Sequence, residues 1–498
     1  MDRRQFCQAA LWGSAALPFI SQTTLASVYA GLTKVDRDLD AITLAGAEQT
    51  LRQASVQELA DSLRGGLLMP GNAGYDVARL VLNPSIDKYP ALIVQPSGAA
   101  DVSSAVQFAR DNKLEVAVKC GGHSSSGKST CNGGMMIDLS TFRDVRVDQA
   151  RQSAYVTGGS LLGQIDHESM AHGLVTTAGT VSHTGVGGLA TAGGFGRVGR
   201  RFGLALDNIR AVDVVSADGV LRHADAEQHP ELYWAVRGGG GNFGVVTSFE
   251  FQLHPMQRTV LGGSVIYPMS KARQVLETYA GYSVECPDEL YTDLIIGYPP
   301  GGGDGFVNLS VCYSGDPGGY EKAMQPYLAL GPVKNGVSAV DYVALQRSTD
   351  SSDPRANASY LKNGFVSEIS PALVSDILDG LEGHPARFTM MYFQHAGGAI
   401  GRVPVEATAF PHRYMTHAMM AMVSWPAGAS REPHVSWIKE YWKPIERHSH
   451  GWYTVDVSDE SSEVVNRNYR ENYGRLVAVK KKYDPGNMFR LNANVMPG

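Results

Sequence analysis

The pattern of apolar and polar positions changes character twice along the chain. Residues 89–94 (Tyr-Pro-Ala-Leu-Ile-Val) form a short apolar run of strand length. Residues 99–112 repeat apolar positions at helical spacing, and 114–118 return to strand before running into glycines, so the three predict a β-α-β unit ending on a glycine turn. Further strands are expected at 135–139, 145–147 and 154–157, then a helix at 160–172 and a glycine-dense stretch at 179–203. A strand at 211–216 with an Asp218-Gly219 turn precedes a helix around Leu232. From about Thr259 glycine thins out. Alternating strands are expected at 262–267, 291–298, 305–313, 388–395 and 414–425, with helices at 270–283, 319–330 and 371–382 between them. That order predicts an antiparallel sheet covered on one face by helices. A charged helix, a Tyr483-Asp484-Pro485-Gly486-Asn487 turn and an extended tail close the chain. The fold class expected is α+β.

Length adds that 498 residues exceed one compact core and suit interleaved domains. Charge removes a class of partner: with a formal net charge of -6 and no basic run, nucleic acid is not an expected partner. The five cysteines, Cys7, Cys120, Cys131, Cys286 and Cys312, show no ligand spacing with histidines, so no metal site is expected. A Cys120–Cys131 disulfide stays open as an option in an oxidising compartment. The N-terminus reads Met1-Asp2-Arg3-Arg4-Gln5-Phe6, followed by an apolar run over 9–20 and small residues at Ala26 and Ala30. Residues 1–30 are therefore expected to be a twin-arginine export signal, which implies the export machinery as a partner and a periplasmic or extracellular bacterial destination. Because that route carries folded proteins, it also hints at a prosthetic group. No other window reaches the ~18 apolar residues of a membrane span.

Glycines number 56 and gather around 121–134, 158–203 and 237–244. Gly185-Val186-Gly187-Gly188-Leu189-Ala190 satisfies G-x-G-x-x-A, with Asp207 downstream, but the preceding Thr180-Val181-Ser182-His183-Thr184 is polar where a dinucleotide fingerprint needs an apolar strand. A Rossmann site is rejected on that ground. Backbone N–H groups in such a loop can still cradle a pyrophosphate, and a tight crossing of two backbone segments is the plain alternative.

Several motifs then occur in a telling order: Ala91-Leu92-Ile93-Val94-Gln95-Pro96, Lys119-Cys120-Gly121-Gly122-His123-Ser124-Ser125-Ser126-Gly127, Met136-Ile137-Asp138-Leu139-Ser140, the run 179–208, 231–247 with its Arg237-Gly238-Gly239-Gly240-Gly241-Asn242-Phe243-Gly244, Asn472-Tyr473-Gly474-Arg475-Leu476, and Lys482-Tyr483-Asp484-Pro485. From about Tyr75 onward the chain resembles the berberine-bridge-enzyme-like FAD-linked oxidases, which share the vanillyl-alcohol-oxidase type of flavin domain. The resemblance implies a two-subdomain FAD-binding domain at 41–257, a substrate domain at 258–450 built on an antiparallel sheet covered by helices, and a segment at 451–498 that returns to the FAD domain. It implies FAD bonded through His123. The second, cysteinyl tether found in many members would fall at Val181, within Ala178-Gly179-Thr180-Val181, and valine has no nucleophile. Cofactor contacts are expected from Cys120, Gly121, Gly122, Ser124, Ser125, Gly127, Gly179, Thr180, Thr184, Gly185, Gly187, Gly188, Leu189, Val245, Val246, Asn492 and Asn494.

The same resemblance implies an oxidase that takes hydride from a small organic substrate, with dioxygen reoxidising the flavin to give hydrogen peroxide. The family's Tyr-x-Asn-Tyr segment falls at Thr454-Val455-Asp456-Val457, which puts Val457 where the usual base would stand. Tyr392, Gln394 and His417 on the central sheet are the catalytic candidates in its place. Met390, Met391, Met415, Met419, Met420 and Met422 crowd the same strands, as core or as an adaptable pocket. Two alternatives stay open: an oxidative cyclase or oxygenase of a secondary metabolite, and a flavin-binding protein of low turnover.

Overall fold

The computed structural model describes residues 33–299, 303–351, 353–386, 388–456 and 461–498. The export signal expected at 1–30, and Val457, lie outside them.

Three sheets frame the molecule. In the first, Gly66–Leu68, Leu92–Gln95, Met135–Asp138 and Val116–Lys119 lie side by side in that order. The last three strands are parallel, and the crossover between them is the helix Ala99–Asp111. Its Val102, Ala105, Val106 and Ala109 are fully buried against the sheet, at the i, i+3, i+4, i+7 spacing of one helical face. The second sheet is antiparallel, in the order Leu221–Ala224, Ile209–Val215, Val245–Gln252, Ser153–Thr157, Val145–Asp148.

The third is an eight-stranded antiparallel sheet. Its path runs Lys334–Asn335, Thr259–Pro268, Phe306–Tyr313, Leu290–Tyr298, Thr389–His395, His417–Pro426, Asn357–Val366, with Ser338–Asp341 also on Thr259–Pro268. One face buries Leu290, Leu294, Ile296, Met391, Phe393, Ala421 and Val423 beneath apolar residues of the helices Ala272–Glu285, Tyr320–Leu328, Pro371–Leu378 and Glu432–Glu446. The other face looks toward the first two sheets.

Two latches join the large sheet to the glycine-rich stretch. Gln346, from the helix Tyr342–Arg347, accepts from Arg197 Nη1 at 2.8 Å and donates to Asp166 Oδ2 at 3.2 Å and to the Gly179 carbonyl at 3.1 Å. Arg200 donates to the carbonyls of Ala396 at 2.7 Å and Cys286 at 3.0 Å.

The C-terminal helix Tyr473–Tyr483 returns the chain to the second sheet, and the tail then reaches the first, where Met488 and Phe489 are buried in its core. Lys480 pairs with Asp484 at 2.7 Å, both side chains wholly buried, and also donates to the carbonyls of Asn242 and Phe489. Asn242 in turn donates to the Ala493 carbonyl and accepts from Val495 N–H. A buried ion pair whose remaining donors are all satisfied fixes the tail beside the 238–244 turn.

Most expected elements stand within a few residues of their predicted bounds. The strands Asn357–Val366 and Val245–Gln252 and the helix Glu432–Glu446 were not among them. Cys120, Cys131, Cys286 and Cys312 are all free thiols, so the Cys120–Cys131 option is not realised.

Candidate active site

A cavity of about 640 Å³ opens between the glycine-rich loops and the exposed face of the large sheet. Its floor comes from the loop that follows Val116–Lys119. There Gly122 turns the chain at φ +70°, a conformation open to glycine at no steric cost, and His123 is the next residue. His123 Nε2 lies 2.7 Å from His183 Nδ1, and Thr184 Oγ1 lies 3.3 Å from His123 Nδ1. Burial, reinforced by the neighbouring His183, pushes the His123 imidazole down to about 4. It is neutral at ordinary pH, with a ring nitrogen available as a nucleophile. His183 lies on a segment tied to the other side of the cavity, since Ser182 N–H and hydroxyl both donate to the Asp350 carboxylate.

The glycines divide into two kinds. A Cβ on Gly121 would fall 2.3 Å from Gly185 N, and one on Gly185 would fall 2.3 Å from Gly121 N and 2.4 Å from Cys120 Sγ. These two make a tight crossing of backbones. Gly188 lines the cavity with nothing within 4 Å of an added Cβ, as does Gly240, so at these positions a side chain would fill space that the cavity needs. Among the described residues, three buried polar atoms in the lining have no protein partner: Ser125 Oγ, Ser129 Oγ and Asn492 Oδ1. A large polar ligand laid along these loops would satisfy them.

The opposite wall is the large sheet. Tyr392 and Gln394 face the cavity, together with Ala418, Met420 and Met422 from the neighbouring strand and Ser359, Leu361 and Asn363 from the next. Tyr392 O–H donates to Asp293 Oδ2 at 2.5 Å. Asp293 is 3% exposed, and burial pushes its carboxyl up to about 6. Burial, then the Asp293 charge, raises the Tyr392 phenol well above its ordinary value. Tyr453 closes the cavity from the C-terminal side, its hydroxyl accepting from Gly194 N–H at 3.0 Å.

Of the residues expected at the site, Cys120, Gly121, Gly122, His123, Ser124, Ser125, Gly179, Thr180, Thr184, Gly185, Gly187, Gly188, Leu189, Val245, Val246, Asn492, Tyr392 and Gln394 line this cavity, as does Val181. Gly127 and Asn494 do not. Gly127 instead closes a turn, its N–H donating to the Ser124 carbonyl, and Asn494 Nδ2 contacts Met496 Sδ at 3.3 Å. His417 is on the far face, 1% exposed, with Nε2 3.1 Å from Ser283 Oγ and its ring stacked on His395. Cys120 is half-buried, and desolvation pushes its thiol up to about 11, away from the thiolate form. Of the six methionines, Met419, Met420 and Met422 reach the cavity. Asp207 forms a bidentate pair with Arg413, both bonds at 2.8 Å, and is thereby occupied away from any ribose.

His183, Asp293, Asn363 and Tyr453 were not singled out by their sequence. Asp293 left the clearest signal, as the one charged residue in Leu-Tyr-Thr-Asp-Leu-Ile-Ile-Gly-Tyr. Such a residue is buried with a partner or with a task.

Comparison with known proteins decides what these loops hold. Residues 90–225 match the FAD binding domain family, and residues 455–496 match the berberine and berberine-like family. An FAD-linked oxidoreductase of Dictyostelium discoideum is 30% identical over 453 residues, covering 89% of this chain and 97% of that protein. The chain belongs to the berberine-bridge-like FAD-linked oxidoreductases. It is also 28% identical to (R)-6-hydroxynicotine oxidase of Paenarthrobacter nicotinovorans, over 88% of this chain and 97% of that protein. The crystal structure of 6-hydroxy-D-nicotine oxidase from Arthrobacter nicotinovorans superposes with a TM-score of 0.79 at 28% identity, covering 88% of this chain and 99% of that one. A carbohydrate oxidase from Microdochium nivale, at 24% identity and a TM-score of 0.80, shares the fold. The open space at Gly188 and Gly240 and the three unsatisfied polar atoms fit the FAD of this oxidoreductase family. Among the described residues no helix is long and apolar enough to cross a membrane.

Proposed function

We propose that this FAD-linked oxidoreductase is an oxidase of a neutral, largely apolar substrate bearing a hydroxyl, with FAD bonded through His123 alone. Bound FAD supplies a hydride acceptor that dioxygen reoxidises, giving hydrogen peroxide. In this reading 41–257 hold the cofactor, 258–450 carry the substrate and 451–498 lock the tail against the FAD domain. The observation that carries it is that His123 faces the same cavity as Tyr392 and Gln394. His123 is neutral and oriented by Thr184 and His183, as a nucleophile toward the flavin methyl has to be. Val181 lines the cavity where a second tether would attach, and it supplies none.

The substrate class follows from the wall. Among its described lining residues the cavity has no Asp, Glu or Arg, so a cationic amine finds no direct counter-ion. Met420, Met422, Leu361 and Val455 offer apolar surface, while Tyr392, Gln394 and Asn363 supply a few converging polar groups. Arg3-Arg4 and the apolar run behind them support export of the folded, cofactor-loaded protein.

Anaerobic mixing with a panel of neutral aryl and alkyl alcohols, amines and sugars tests the reading. Alcohols should bleach the flavin fastest, and air should then return one peroxide per turnover. Colour should stay with acid-precipitated wild-type protein and leave His123→Ala. Bleaching by none of the panel, or colour lost from the wild type, would overturn it.

A further inference from the structure

Asp293 sits on Leu290–Tyr298, one residue past the last registered pair of that strand with Thr389–His395, Leu294 opposite Phe393. Its Oδ2 accepts the Tyr392 O–H at 2.5 Å and its Oδ1 faces His395 N–H at 3.4 Å. Tyr291 lies beside it on its own strand, and Arg197, from the glycine-rich stretch, acts on it through space while donating to Gln346. Tyr279, from the covering helix, and Cys312, from the adjoining strand, also feel its charge. Asp293 is buried, and Tyr392 lies partly open to the cavity. Burial penalises the Asp293 charge, and with Arg197 acting only through space the carboxylate relies on the Tyr392 O–H and the His395 N–H.

We propose that Tyr392 and Asp293 form a proton relay for substrate oxidation, with Tyr392 as the catalytic residue and Asp293 as the positioning residue that accepts its proton. This rests on the oxidase reading above. The substrate C–H bond breaks and leaves as hydride, two electrons and one proton, to the flavin. Its O–H proton goes to the Tyr392 oxygen, the Tyr392 O–H proton passes to Asp293 Oδ2, and the C=O bond forms. The substrate is oxidised by two electrons, and one proton stays on Asp293 until it returns through Tyr392 to the cavity. A carboxyl at about 6 is ionised at neutral pH yet basic enough to receive that proton. His395 and His417 open onto the other face, and the Tyr453 hydroxyl is already held by Gly194 N–H.

The test uses the oxidised holoenzyme and has one readout that needs no turnover. Infrared titration of the wild type should show a carboxylic-acid carbonyl band that fades with a midpoint near 6. The band should be absent from Asp293→Asn and displaced in Tyr392→Phe. Anaerobic flavin reduction should fall by about 10²-fold or more in each variant, with no further fall in the double variant, and the rise of the wild-type rate through that same pH should vanish in Asp293→Asn. If Asp293→Asn does not fold, the wild type and Tyr392→Phe still decide through the band. A band indifferent to Tyr392→Phe, or variants reduced at the wild-type rate, would overturn the relay. If no alcohol reduces even the wild type, the oxidase reading fails, and the infrared titration still decides whether the pair shares its proton.

Discussion

Along Thr389–His395, Met391, Phe393 and His395 turn into the helix-covered face and are at most 1% exposed, whereas Tyr392 and Gln394 turn to the cavity and stay partly open. Period-two alternation puts both environments on one strand. On the covered face the two histidines have internal partners: His395 Nε2 lies 2.8 Å from the Ser283 carbonyl, and His417 is held by Ser283 and Thr416. Around the cavity, Ser125, Ser129 and Asn492 keep unpaired atoms, and Tyr392 reaches back to a buried carboxylate. The protein itself satisfies the histidines of the covered face, and the cavity face leaves part of its hydrogen bonding to a ligand. Substitutions on alternate residues should therefore separate stability from chemistry.

The largest separation is expected at Tyr392. Replacement by phenylalanine should slow anaerobic flavin reduction by about 10²- to 10⁴-fold, the range for loss of a positioned acid–base group, while thermal unfolding changes little. One residue along, Phe393→Ala should do the reverse. Phe393 is fully buried among Tyr279, Met391 and Met419, so truncation should cost about 3–5 kcal/mol in chemical denaturation and leave the reduction rate of the folded fraction unchanged. A shared loss of rate and stability at both positions would break the contrast between the faces.

This alternation also explains what the sequence disclosed. Strands 291–298, 305–313 and 388–395 were legible because one face is mostly apolar. Asn357–Val366 was not, because Ser359, Leu361 and Asn363 face the cavity, and a wall made for a ligand reads as loop. The helix Glu432–Glu446 did carry a signal, with Val435, Ile438, Trp442 and Ile445 buried at helical spacing, but Pro433 and Pro444 masked it. His123 was legible from its loop, and His183 was not, since its pairing with His123 is made across 60 residues. His417 was named with Tyr392 and Gln394 from its place on the central sheet, and burial removes the near-neutral pKa that suits histidine to a base.

His417 makes the next test. Burial, with Arg200 adding to it, pushes its imidazole down to about 3, so the folded protein holds it neutral while the unfolded chain protonates it near 6.5. Its contribution to stability is full above the unfolded value and is lost as pH falls toward the folded one, roughly 2 kcal/mol by pH 5. His417→Gln should therefore narrow the gap to wild type, or reverse it, by about that amount between pH 7 and pH 5 in urea titrations. Flavin reduction at pH 7 should stay within a factor of about two. A loss of 10²-fold would bring the covered face into the chemistry.

The smallest effect sharpens the comparison most finely, because it changes neither charge nor hydrogen bonding. Met420 lines the cavity, and Met391 is fully buried on the covered face. Leucine conserves volume and costs less than about 1.5 kcal/mol in a packed core, so Met391→Leu should lower the unfolding midpoint slightly and leave KM alone. At Met420 the same change removes a flexible thioether from a surface that adapts to substrate. Met420→Leu should leave the unfolding midpoint in place, shift KM several-fold, and change the ranking of alcohols by size while kcat for the best one holds. If Met420→Leu moved stability and not KM, Met420 would be core like Met391, and the cavity's apolar wall would end at Leu361.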